Sequence, residues 1–151
     1  MVFYREINWR LEASGAAYVR DAAFLRAQNK STVWRIVKPL REMGIPTAAV
    51  VDLDILKGGD LNILCDACGV PNELKQGIAA TKGNLERAFK EAEVDMKAGD
   101  LERLPQTTRE ALGGLLNQLA LYGIFVVPCG EVECWLRYLG VDASKPEFED
   151  I

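Results

Sequence analysis

Two aspartates one residue apart, Asp52 and Asp54, follow the apolar run AAVV in GIPTAAVVDLDIL. A continuous apolar run of this kind is the pattern of a strand buried on both faces of a parallel sheet. Residues i and i+2 of a strand point to one face, about 6–7 Å apart along the backbone. Carboxylates so placed can share one hard cation or hold two neighbouring ones. Mg²⁺ takes one or two carboxylates and completes its shell with water and substrate phosphate, which suits this pair. The plainer alternative is a turn-capping Asp52 beside a solvated Asp54. A second segment, IFVVPCGEVECWL, has the same grammar: an apolar strand, the turn residues Pro128 and Gly130, then Glu131 and Glu133. Its carboxylates could meet the aspartates at one sheet edge. The helix dipole also favours acids in a first helical turn without any ligand.

The remaining chemistry is narrowed by elimination. The chain has no histidine, so no imidazole serves as base, metal ligand or partner to a nucleophile. Neither GxxxxGK[ST] nor GxGxxG occurs, so no nucleotide cradle is specified. Lys30, Arg35 and Lys38 lie beside the turn at 28–32 and could hold a backbone phosphate; a solvated helix face explains them equally well. Cys65 and Cys68 form a CxxC, and Cys129 and Cys134 a second pair. Four thiolates can bind zinc, but the first pair lies in the apolar helical pattern LNILCDACGV, which favours buried structural thiols. With no signal peptide in MVFYREINWRLE, the thiols are expected to be reduced and the protein cytoplasmic.

The elements that must position these residues follow from periodicity. Phe3, Ile7 and Leu11 predict a helix over 3–13, and a short strand is expected around 22–27. Ser31 and Thr32 precede a helix with Val33, Ile36, Val37 and Leu40 on one face, kinked at Pro39 and stopped by Gly44. Residues 45–53 form the clearest strand, and KGGD a loop. DLNILCDAC reads as a short helix ended by Gly69 through Pro71. A longer helix runs from Asn72 to about Met96, with breaks possible at Gly77 or Gly83. Residues 107–121 are helical with threonine caps, Gly123 closes them, IFVVP is a second buried strand, and EVECWLRYLG is a last helix. The alternation implies an α/β fold with a mainly parallel sheet, whose ligands gather at the C-terminal ends of the strands.

The 151 residues, 49% apolar and 26% charged, make one globular domain. No apolar run approaches the roughly 20 residues of a membrane helix. Eighteen basic against 22 acidic residues give a net charge of −4, so DNA contact would need a local basic patch or a metal.

GIPTAAVVDLDIL, followed by GIFVVPCGEVECWL and preceded by AQNKSTVWRIVKPLREMGIP, resembles the Toprim domain of the OLD (overcoming lysogenization defect) family of ATP-dependent nucleases. The resemblance covers roughly residues 3 to 140. It implies a Rossmann-like α/β domain over 1–141 and a polar tail over 142–151. It also implies metal-dependent phosphodiester cleavage of DNA, with Mg²⁺ or Mn²⁺ as the cofactor. Carried over, Asp52 and Asp54 match the metal-binding DxD. Glu133, and less closely Glu131, match the acids of a second metal site. Asp52, Asp54 and Glu133 are then the catalytic set.

The family's opening strand, with its Glu-Gly-x-x-Asp motif, has no counterpart in MVFYREI, and Glu6 does not match it. No ATPase domain precedes the resemblance. The expectation is therefore an incomplete nuclease domain, weak or inactive alone, whose missing Glu motif comes from a partner ATPase chain or domain. A second expectation is a non-catalytic metal-binding or interaction module that self-associates through the open sheet edge. A phosphatase of the haloacid dehalogenase type also uses a strand-end DxD, but wants Thr or Val where Leu56 stands.

Overall fold

A computed structural model describes residues 2–96 and 100–128. Among these, five helices, α1 (Val2–Ala13), α2 (Val33–Glu42), α3 (Asp60–Ala67), α4 (Asn72–Glu91) and α5 (Gln106–Ala120), accompany two strands, β1 (Ala49–Asp52) and β2 (Ile124–Val127). The strands are parallel, with Ala49 opposite Ile124 and Asp52 opposite Val127. The connection between them contains α3, α4 and α5, so the centre of the chain is a βαβ arrangement of the α/β class. The expected last helix at 131–140, the tail at 142–151 and the second cysteine pair lie outside the described residues. No helix among the described residues is long and apolar enough to cross a membrane.

The core lies against one face of the sheet. Ala49, Val51, Ile124 and Val126 meet Val37 of α2, Leu61 and Leu64 of α3, Ile78, Leu85 and Phe89 of α4, and Leu112, Leu115 and Leu119 of α5. Burial in β1 alternates rather than running continuously. The strand expected to be buried on both faces therefore has one buried face and one outward face.

Four helix ends share one stop. After α1, α2, α3 and α4 the chain enters the left-handed region at Gly15, Gly44, Gly69 and Glu93. The following amides, of Ala16, Ile45, Val70 and Val94, bond back to the carbonyls of Leu11, Leu40, Cys65 and Phe89. This Schellman closure satisfies carbonyls that a helix end would otherwise orphan. It explains why α4 ends at Glu91 rather than near Met96: Val94 and Met96 turn in to join the core. Gly77 and Gly83 do not interrupt α4. α5 begins directly after Pro105, which places Thr107 and Thr108 inside its first turn rather than at the cap.

The strand expected around 22–27 does not form. Left-handed residues at Asp21 and Gln28 bracket that segment, and neither described strand pairs with it. Just upstream, the Asn8 side chain of α1 bonds both the amide and the carbonyl of Val19, at 2.8 and 2.9 Å.

Arg41, in the last turn of α2, joins three separate connections. Its Nε and Nη2 donate to the Thr47 carbonyl at 3.0 and 2.7 Å, Nη1 to Cys68 O at 2.8 Å, and Nη2 also to Tyr122 O at 2.7 Å. Gly123 makes room for it: φ is +73°, and an added Cβ would lie 2.6 Å from Nη2.

Two stability changes follow. Arg41→Lys should lose roughly 2 kcal/mol by chemical denaturation, because an ammonium cannot reach three carbonyls from one stem. Gly83→Ala should gain about 0.5–1 kcal/mol, since the site has open space for a methyl and Gly costs helix entropy. An unchanged or weakened Gly83→Ala protein would contradict a continuous α4.

Candidate functional site at the strand ends

β1 stops at Asp52, and the reason lies in the residues that follow. Leu53, Ile55 and Leu56 are all fully buried. Continued strand alternation would send Leu56 to the opposite face from Leu53 and Ile55. The chain instead winds into a 3-10 turn over Leu53–Leu56, which brings all three inward. Asp54 therefore lies in this turn and not on a strand face beside Asp52. The same-face geometry expected of the DxD is replaced by a strand-end aspartate followed by a turn aspartate.

Asp52 is exposed and Asp54 partly buried. Lys30 Nζ donates to the Asp54 carbonyl oxygen at 2.8 Å and pairs with its Oδ2 at 3.2 Å. Nearby in sequence, Ser31 Oγ donates to Asp60 Oδ2 at 3.1 Å, so the 30–32 turn is tied both to the strand end and to the start of α3. Thr32 Oγ1 also bonds the Ala27 carbonyl, bracing the turn from behind.

Of the three basic residues considered for phosphate, only Lys30 is brought to Asp54. The exposed Arg35 guanidinium lies 5.4 Å from the Trp34 ring centroid, and Lys38 lies on the exposed side of α2, 4.0 Å from Glu42. The Lys30–Asp54 pairing was not readable from the sequence, because 24 positions separate the partners. Asp60, which Ser31 reaches, stands at the first position of α3, where GGD before an apolar run is a helix-start signal.

The parallel register puts the end of β1 beside the end of β2, with Asp52 opposite Val127. Glu131 and Glu133 follow β2 by four and six positions and lie outside the described residues. Among the described residues, no cluster of three or more acidic or cysteine side chains could hold a metal ion. Asp52 and Asp54 are hard oxygen donors at a strand terminus, a donor set that fits Mg²⁺ or Mn²⁺ with water completing the shell.

Cys65 and Cys68 are buried free thiols. Burial pushes the Cys65 thiol up to about 11, with further upward pressure from Cys68 and Asp66. Burial also raises Cys68, while the Arg41 charge acts in the other direction. Such thiols are poor nucleophiles at neutral pH.

No family model, curated protein or solved structure matches the chain.

The thiols carry a pH prediction. The folded Cys65 pKa lies above the ordinary 9.0. Its neutral form is therefore favoured in the folded state, and this contribution is complete below about pH 9 and lost as pH rises toward 11. Denaturant midpoints should fall over that window, and Cys65→Ala should flatten the fall. Alkylation of both thiols at neutral pH should be slow until the protein is unfolded.

Proposed function

We propose that this chain is a Toprim-like, metal-dependent DNA nuclease domain that depends on a partner for full activity. The reading is carried by the register of the two strands. It brings the end of β1, with Asp52 and then Asp54, alongside the end of β2, after which Glu131 and Glu133 follow. Asp52 and Asp54 thus lie at the end of the sheet where open α/β sheets bind ligands, and Glu131 and Glu133 follow the neighbouring strand in sequence.

In this reading Asp52 and Asp54 hold Mg²⁺ or Mn²⁺, which supplies Lewis acidity toward a phosphodiester. Lys30 fixes Asp54 through its main-chain and side-chain oxygens and partly offsets the acidic charge where a DNA phosphate would approach. Glu133, with Glu131 beside it in sequence, would complete the acidic set. The Glu-Gly-x-x-Asp strand of such nucleases would come from a partner, in an ATPase domain or chain.

One observation favours a second reading, a non-catalytic metal-binding or interaction module. Asp54 Oδ2 is already engaged by Lys30, which is also what a purely structural turn clamp would look like.

Titration with Mg²⁺ and Mn²⁺ should give binding at about millimolar affinity, as expected of an incomplete ligand set. Asp52→Asn with Asp54→Asn should abolish it, and retained binding in that variant would refute the site. Plasmid nicking by the chain alone should be slight, because each missing electrostatic contact costs about 10²–10³ in rate. Adding a strand with Glu-Gly-x-x-Asp, in cis or as a second chain, should raise nicking. Metal binding with no gain in nicking would leave the non-catalytic reading standing.

A further inference from the structure

Lys30 Nζ makes two bonds to Asp54, one to its main-chain oxygen at 2.8 Å and one to Oδ2 at 3.2 Å. Both ends of this ion pair are held without it. On the Lys30 side, the 30–32 turn has its own bonds: Ser31 Oγ to Asp60, Thr32 Oγ1 to the Ala27 carbonyl, and the Thr32 amide to Asn29 O at 3.2 Å. On the Asp54 side, the main-chain oxygen also accepts the Lys57 amide at 2.9 Å. The 3-10 turn that carries Asp54 is anchored by buried Leu53, Ile55 and Leu56. The ammonium rides on a flexible four-carbon stem. Neither charged side chain is sealed from water, being 29% and 19% exposed. Partly exposed pairs of this kind contribute little to stability, so the contact can be exchanged without unpinning either turn.

We propose that Lys30 is an exchangeable counterion. It neutralises Asp54 in the free protein, and it gives up Oδ2 to a divalent cation when a phosphodiester oxygen takes its ammonium. The inference rests on the metal reading of Asp52 and Asp54 and adds to it the regulation of that site. An ammonium on Oδ2 opposes a dication at the same carboxylate. Repulsion between charges of +1 and +2 a few ångströms apart lowers affinity about tenfold or more, even at the dielectric of bulk water. A phosphodiester supplies the anionic oxygen that Lys30 needs once it leaves Asp54, since an ammonium has three donors and binds phosphate as a point charge. The cation drives Lys30 toward the phosphate, and the phosphate draws Lys30 off the cation's ligand. The two therefore bind cooperatively, and each must raise the affinity of the other by the same factor.

Mn²⁺ binding to the full chain, followed by paramagnetic resonance, tests the exchange. The phosphodiester probe is the dinucleotide TpT, with correction for Mn²⁺ bound by TpT alone. In the parent, TpT should tighten Mn²⁺ several-fold, and Mn²⁺ should tighten TpT by the same factor. Lys30→Met should bind Mn²⁺ about tenfold more tightly without TpT, and TpT should no longer improve it. Lys30→Arg, which keeps the charge, should bind Mn²⁺ no better than the parent. Slow alkylation of Cys65 and Cys68 in both variants checks that the core is intact. Mn²⁺ affinity that is unchanged or lowered in Lys30→Met would overturn the proposal, because a structural brace for Asp54 behaves that way. So would a parent in which Mn²⁺ and TpT bind independently, or a TpT effect that survives the substitution. The metal reading survives each of those results provided that Asp52→Asn with Asp54→Asn abolishes Mn²⁺ binding. If neither the parent nor Lys30→Met binds Mn²⁺ through those aspartates, the metal reading falls and the exchange falls with it.

Discussion

The guanidinium of Arg41 ties together the places where this chain changes direction. It takes the carbonyl of Thr47 before β1, that of Cys68 at the end of α3 and that of Tyr122 before β2. Thr47, Cys68 and Tyr122 all lie outside the described helices and strands, and a partly buried carbonyl without a donor costs about as much as a lost hydrogen bond. A planar fork with five donors can serve all three from one side chain. The register of the two strands thus rests partly on a residue in neither. Gly123 is required in the same place, since a side chain there would displace the fork.

A two-stranded parallel sheet is marginal by itself, and here its stability is borrowed from the helices. Four helices present Leu, Ile, Val and Phe to a single sheet face, and the turn after β1 adds Leu53, Ile55 and Leu56 as a plug. That plug also shapes the candidate site. By forcing the backbone out of strand geometry immediately after Asp52, it separates the two aspartates into different conformations. It leaves Asp52 outward and draws Asp54 within reach of Lys30. Core packing therefore decides how the acids are displayed, and the clamp from Lys30 holds the result.

The two cysteines of the CxxC belong to the same packing logic. Cys65 and Cys68 lie near the end of α3, where the Cys65 carbonyl takes the Val70 amide and the Cys68 carbonyl takes Arg41. Their side chains are enclosed in the core. Their raised pKa values are a consequence of that burial.

Much of the layout was legible along the chain. The apolar spacing of α2, α4 and α5, the glycine stops at Gly44 and Gly69, the strand before Asp52 and the second at IFVV all reflect short-range periodicity and turn chemistry, which neighbouring residues settle among themselves. The α/β class followed from their order, as did the placing of Asp52 at a strand end. Tertiary structure alone decided the rest. Residues 22–27 have strand-like composition, but neither described strand pairs with them. Asp54 left the strand because three following apolar side chains could enter the core only through a 3-10 turn. Lys30 found Asp54, and Arg41 found Tyr122, across separations that no local pattern encodes. Such pairings exist only once the crossover has been packed, because loop closure over 24 or 81 positions is made favourable by the whole core.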